Sequence, residues 1–167
     1  MHIAFLESIS GFKKLSYAKG SAGSWQVSEI DRKTSMRGHS WIELDNNDTP
    51  NVLYYESWYD QIFLAQRLGD DNWDLDPVPN SRDLCCPLSY NSGNLRMDMD
   101  VNGAAHITYQ GCSEDDPYYD GIGYLTNASG TWVEDYNVVR FAHLPEIAVN
   151  NSGQVRRPTY TNAYDYA

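Results

Sequence analysis

A pattern that recurs about every fifty residues constrains this chain more than anything else in it, because few architectures are built from copies of one small unit. A mark of two apolar residues at alternate positions that ends on Asp or Asn stands at Ile42-Glu43-Leu44-Asp45, at Met97-Asp98-Met99-Asp100 and again at Ile147-Ala148-Val149-Asn150. Polar turns follow at Asn46-Asn47-Asp48, Val101-Asn102-Gly103 and Asn151-Ser152-Gly153. Next come the β-branched and aromatic runs Val52-Leu53-Tyr54-Tyr55 and His106-Ile107-Thr108-Tyr109, matched at the start of the chain by His2-Ile3-Ala4-Phe5; these read as second strands. Each unit closes with a hairpin that ends on Trp: Leu15-Ser16-Tyr17-Ala18 before Trp25, Phe63-Leu64-Ala65-Gln66 before Trp73, and Gly123-Tyr124-Leu125-Thr126 before Trp132.

One unit therefore predicts four short antiparallel strands, the length and strand count of a propeller blade. The expected fold is an all-β propeller domain over 1–167, with blades at approximately 2–37, 41–93 and 96–145. Residues 146–167 then supply a closing strand and a peripheral tail. Trp25, Trp73 and Trp132 are expected to anchor the last strand of each blade in equivalent ways. Known propellers have about four to eight blades, so three call for completion, and two chains would give a six-bladed ring. The first blade starts in a second strand and Ile147 to Val149 is a spare innermost one, which suits a homodimer that closes by strand exchange. The competing expectation is a piece of a longer propeller.

The segments Met97 to Tyr109 and Tyr124 to Trp132 resemble the repeats of bacterial sialidase-like β-propeller proteins, and the likeness extends over nearly the whole chain. The turns before Trp25, Trp73 and Trp132 are Asp-box-like. The first and third depart from that motif in a Gly one residue too close to Trp and in the absence of Asp. The resemblance implies blade architecture; such blades serve lectins, hydrolases and scaffolds alike.

Composition narrows the function. A net charge of −11 with only 12 basic residues argues against nucleic acid and anionic membrane as partners, and favours basic proteins among protein partners. No apolar stretch reaches the roughly 18 residues that span a bilayer, and the first residues lack the basic start and apolar run of a signal peptide. A full-length chain of this kind is expected in the cytoplasm. Three cysteines, two of them adjacent at Cys85-Cys86, do not make a disulfide framework. No cofactor is expected.

In a blade, the second-to-third loops and the crossovers emerge on one face, and here those connections are the ones that lengthen. Gly111 to Gly121 reads as an enlarged loop, Asp76 to Asn94 as an enlarged crossover, and added loop length on a scaffold marks function. These connections carry Trp58-Tyr59-Asp60 and Tyr118-Tyr119-Asp120, echoed by Tyr164-Asp165 in the tail, with Arg37, His39 and Trp41 in a crossover. Aromatic rings stack on the apolar side of a pyranose while carboxylates accept from its hydroxyls, so these nine residues, 37, 39, 41, 58–60 and 118–120, are the expected glycan-binding set. A basic protein is the alternative ligand. No catalytic residue is assigned: a sialidase needs three converging arginines, and Arg37, Arg96 and Arg140 do not align in the repeat. Glu43, Asp45, Asp98 and Asp100 recur at matching inner-strand positions and are candidate ligands for a cation.

Overall fold

A computed structural model describes residues 1–56, 61–79, 95–113, 116–140, 146–150 and 153–156, with the backbone alone of 37–39, 110–113, 116–121 and 136–140. Alternation of apolar and polar side chains over short β-branched runs produces strands throughout, and the described residues contain no helix. A first antiparallel sheet takes β1 (His2–Ile9), β2 (Phe12–Ser21) and β3 (Ser24–Lys33) in sequence order. A second takes β4 (Met36–Leu44), β5 (Pro50–Glu56), β6 (Gln61–Gly69) and β7 (Asn72–Pro77), also in order. The third consists of β8 (Leu95–Met99), β9 (Ala105–Ser113), β10 (Asp116–Thr126) and β11 (Val133–Arg140). A short hairpin of β12 (Ala148–Val149) and β13 (Val155–Arg156) follows. The first two sheets belong to one compact unit, within Met1–Arg82, and the third sheet and hairpin to a second, within Gly93–Ala167.

The fifty-residue period is visible in the turns. In the first-to-second turn of the second sheet, Asp45 Oδ1 accepts from the amides of Asn47 and Thr49, and the Asp45 amide donates to the Thr49 carbonyl. Asp100 does the same with Asn102 and Ala104, and Asn150 Oδ1 accepts from the Gln154 amide. In all three the fourth residue is left-handed: Asp48 at φ 59°, Gly103 at 79° and Gly153 at 74°. That conformation strongly favours Gly and tolerates Asp, and it is why the polar turn recurs with this composition.

The first two sheets meet over a core of Leu15, Tyr17, Ile30, Met36, Val52, Tyr54 and Ala65, flanked by Phe63, Trp73 and Leu75. The Tyr54 hydroxyl donates to Asp31 Oδ2 across 2.8 Å and ties the second sheet to the first; burial, with Asp31 beside it, pushes this phenol's pKa up. In the second unit Leu95, Met97, Ile107, Tyr109, Ile122 and Leu125 are buried, and the Tyr109 ring lies against Gly123, its cross-strand partner, where any Cβ would collide with it.

Several expectations change. Gly111 to Gly121 is mostly strand and not a loop: Gly111 pairs with Gly121 and Cys112 with Asp120, because two facing glycines let the ladder run on without side-chain crowding. Arg37, His39 and Trp41 lie within β4 and not in a crossover. The final innermost strand is not spare but paired with β13, so Val155-Arg156 is a second strand instead of displaced tail. The three tryptophans are not equivalent. Trp73 packs edge-on against Tyr17 with centroids 5.3 Å apart, whereas Trp25 is 39% exposed and Val27 beside it 58%. Trp132 precedes β11 and is partly buried. Trp73 has the first sheet to lie on; nothing among the described residues covers the matching face of the first sheet.

Replacing Trp73 by Ala should therefore destabilise by about 3 to 5 kcal/mol, and Trp25→Ala by less than about 1 kcal/mol in the isolated chain. Urea denaturation followed by circular dichroism measures both; equal losses would mean that Trp25 is covered in solution.

Candidate functional site

The candidate cation ligands resolve into turn and strand partners. Asp45 and Asp100 spend Oδ1 on turn amides as above, and Asp100 Oδ2 lies 3.6 Å from His106 Nε2. Glu43 Oε1 accepts from Trp41 Nε1 at 3.0 Å. Asp98 Oδ2 accepts from the Val149 amide at 2.6 Å, holding β12 beside β8. Among the described residues no group of three or more His, Cys, Asp or Glu side chains gathers to hold a metal ion. The acids recur because the turn and the strand edge need acceptors at those positions.

Asp100 is 6% exposed. Burial works against its charged form, but the Ala104 and Asn102 amides and His106 outweigh it and hold the carboxyl below its ordinary value of 3.8. His106 in turn meets the Tyr124 hydroxyl through Nδ1 at 2.6 Å, and His2 repeats the contact with Tyr17 at 2.6 Å. At His2, burial first and nearby positive charges after it lower the imidazole pKa, so that ring pairs with Tyr17 in its neutral form near pH 7.

Of the sequence-nominated glycan residues, Trp58, Tyr59 and Asp60 lie outside the described residues. The backbones of the remaining segments share one property. Arg37 pairs with Tyr55 and Trp41 with Leu53, so Gly38-His39-Ser40 stand opposite Tyr54 alone. Asp116 pairs with Ser113 and Asp120 with Cys112, so Pro117-Tyr118-Tyr119 stand opposite no residue. Both segments are β-bulges at the sheet end that leads to the second-to-third connection. Each belongs to a different compact unit. Arg96, one of the three arginines considered for catalysis, has Nε 3.7 Å from Glu146 Oε1.

Sequence reasoning missed a second place. At the opposite end of the first two sheets, beside the β2–β3 and β6–β7 turns, a cleft of about 370 Å³ is lined by Tyr17, Lys19, Gln26, Ser28, Arg67 and Asp70 among others. The Arg67 guanidinium stands 5.2 Å from the Tyr17 ring centroid and reaches Asp70 through Nη2 at 3.3 Å. The only sequence signal was the Asp70-Asp71 pair in a turn, and it is common turn chemistry.

No protein-family model matches the chain, and no curated protein matches it. No helix of the described residues is long and apolar enough to cross a membrane.

Since the folded state holds the Asp100 carboxyl below its unfolded value, its contribution to stability is complete above that value and is lost as pH falls through the folded pKa. Asp100→Asn should cost about 1 to 3 kcal/mol near neutral pH, and the gap from the parent protein should narrow between pH 4 and pH 2. Parallel urea titrations across that window measure it; a constant gap would show that the carboxyl charge is not what the turn uses.

Proposed function

We propose that this chain is a non-catalytic carbohydrate-binding propeller whose ligand meets the bulged ends of its sheets. The observation that carries the reading is the coincidence of two independent patterns: three of the nominated residues, His39, Tyr118 and Tyr119, fall on the bulges at 38–40 and 117–119, and three more, Arg37, Trp41 and Asp120, flank them. A bulge interrupts pairing at some cost and persists where it re-aims side chains to use. Sugars suit the residue set, with Tyr118, Tyr119 and Trp58 as stacking rings, Asp60 and Asp120 as hydroxyl acceptors and Arg37 and His39 as donors.

In this reading the four-stranded sheets are blades, and two chains complete a six-bladed ring. Exposed Trp25 and Val27 support it, since the matching Trp73 and Leu75 of the second sheet are covered by its neighbour. Closure exchanges β13 for the partner's β1 beside β12. Light scattering should then report about twice the 19.0 kDa chain mass, and a folded monomer at micromolar concentration would remove the ring.

A glycan array with free-sugar competition tests the function. Trp58→Ala and Tyr119→Ala should each weaken the best glycan signal about tenfold or more without changing the melting temperature. Capture of basic peptides with no competable glycan signal would replace the reading with a protein-binding scaffold.

A further inference from the structure

We infer that the cleft between the first two sheets is a second binding site, for a neutral polyhydroxylated ligand of the size of a mono- or disaccharide. Its volume lies at the small end of the roughly 300 to 1,000 Å³ typical of ligand pockets. The decisive feature is a set of buried polar atoms with no hydrogen-bond partner in the protein. Ser28 Oγ, Arg67 Nε and Trp73 Nε1 are three of them, and all surround Tyr17. Ser28 is the cross-strand neighbour of Tyr17, Arg67 lies over its ring, and Trp73 meets its edge. Leaving a buried polar atom unsatisfied is costly, so two of them on residues that line one cleft, with a third behind the same ring, mark a place where something is received.

The chemistry of the lining selects the occupant. Arg67 Nε is a donor only and Ser28 Oγ can donate as well as accept, so the inner wall calls for acceptors. At the mouth stand Asp70 and Asp71, acceptors that demand donors, with Lys19 and Gln26 on the facing strands. An anion satisfies the inner wall but meets two carboxylates on entering. An amine suits the carboxylates and leaves the donors unpaired. Hydroxyl groups accept inward and donate outward, and the charges of Lys19 and Arg67 balance those of Asp70 and Asp71, which leaves a neutral polyol as the fitting ligand. The cleft lies at the other end of the sheets from the bulges, so this inference stands apart from the long-loop reading.

Saturation-transfer NMR with glucose, galactose, mannose, fucose, N-acetylglucosamine, lactose and maltose tests it, with glucuronate and N-acetylneuraminate as charged comparators. A protein carrying both Trp58→Ala and Tyr119→Ala removes the long-loop contribution. In that background at least one neutral sugar should still bind, Ser28→Ala should weaken it about threefold to tenfold, and Arg67→Lys more than tenfold. Ser28 Oγ has no partner to lose, so Ser28→Ala remains decisive even where Arg67→Lys fails to fold. Sugar binding by the parent protein that vanishes in the double variant overturns the cleft and leaves the long-loop reading standing. Binding in the double variant that ignores Ser28→Ala overturns the cleft too, as does binding of the acidic sugars alone. Silence of the parent protein towards every sugar overturns both readings.

Discussion

Tyr17 is the residue on which the first compact unit turns. It is 1% exposed, yet it reaches three different elements: its hydroxyl meets His2 on β1, its ring edge meets Trp73 on β7, and its face carries Arg67 from β6. Burying a phenol is favourable only when the oxygen finds a partner, and the neutral imidazole of His2 provides one without importing a charge. The cation above the ring is then held by the quadrupole and by Asp70 at the surface, which keeps Arg67 at the mouth of a cleft instead of free in solvent. The same side chain thus fixes how two sheets meet and builds one wall of a ligand-sized space.

The recurring turn imposes a different constraint. Asp45, Asp100 and Asn150 each accept from the amide four residues on, and a left-handed fourth residue closes the loop. A turn pinned by a side chain fixes the register of the strands it joins, and a one-residue slip would reverse every inward face. The acids at these positions each spend Oδ1 on the backbone, so the turn geometry by itself accounts for the repetition of a carboxylate here. Asp98 shows the same economy at a strand edge, where it takes up the Val149 amide.

How much of this was legible follows from what each signal depends on. Strand order within a sheet follows from local alternation and turn chemistry, and Ile42 to Leu44, Val52 to Tyr55, Met97 to Met99 and His106 to Tyr109 all lie in the strands their pattern implies. The tryptophans misled because a repeat specifies position, whereas burial depends on whether a neighbouring sheet lies on that position. Gly111 to Gly121 misled for the opposite reason: glycines read as loop, but paired across a ladder they extend the strands. The bulges were visible only as unusual content, since the count of residues on each side of a ladder is a property of pairing. The cleft left only the Asp70-Asp71 pair as a trace, because Ser28, Arg67 and Tyr17 come from three strands and meet through packing between sheets.

Charge is the last property that the whole-chain view blurs. The net charge is −11, but all four lysines, at positions 13, 14, 19 and 33, lie in the first sheet, and Lys13 pairs with Lys33 across it. Arg32 adds to them, against only Glu7, Glu29 and Asp31, so this sheet is locally basic while the rest of the chain is more acidic than the total suggests. The exposed Trp25 and Val27 belong to that basic sheet. A surface that covers them therefore has to offer both apolar area and negative charge.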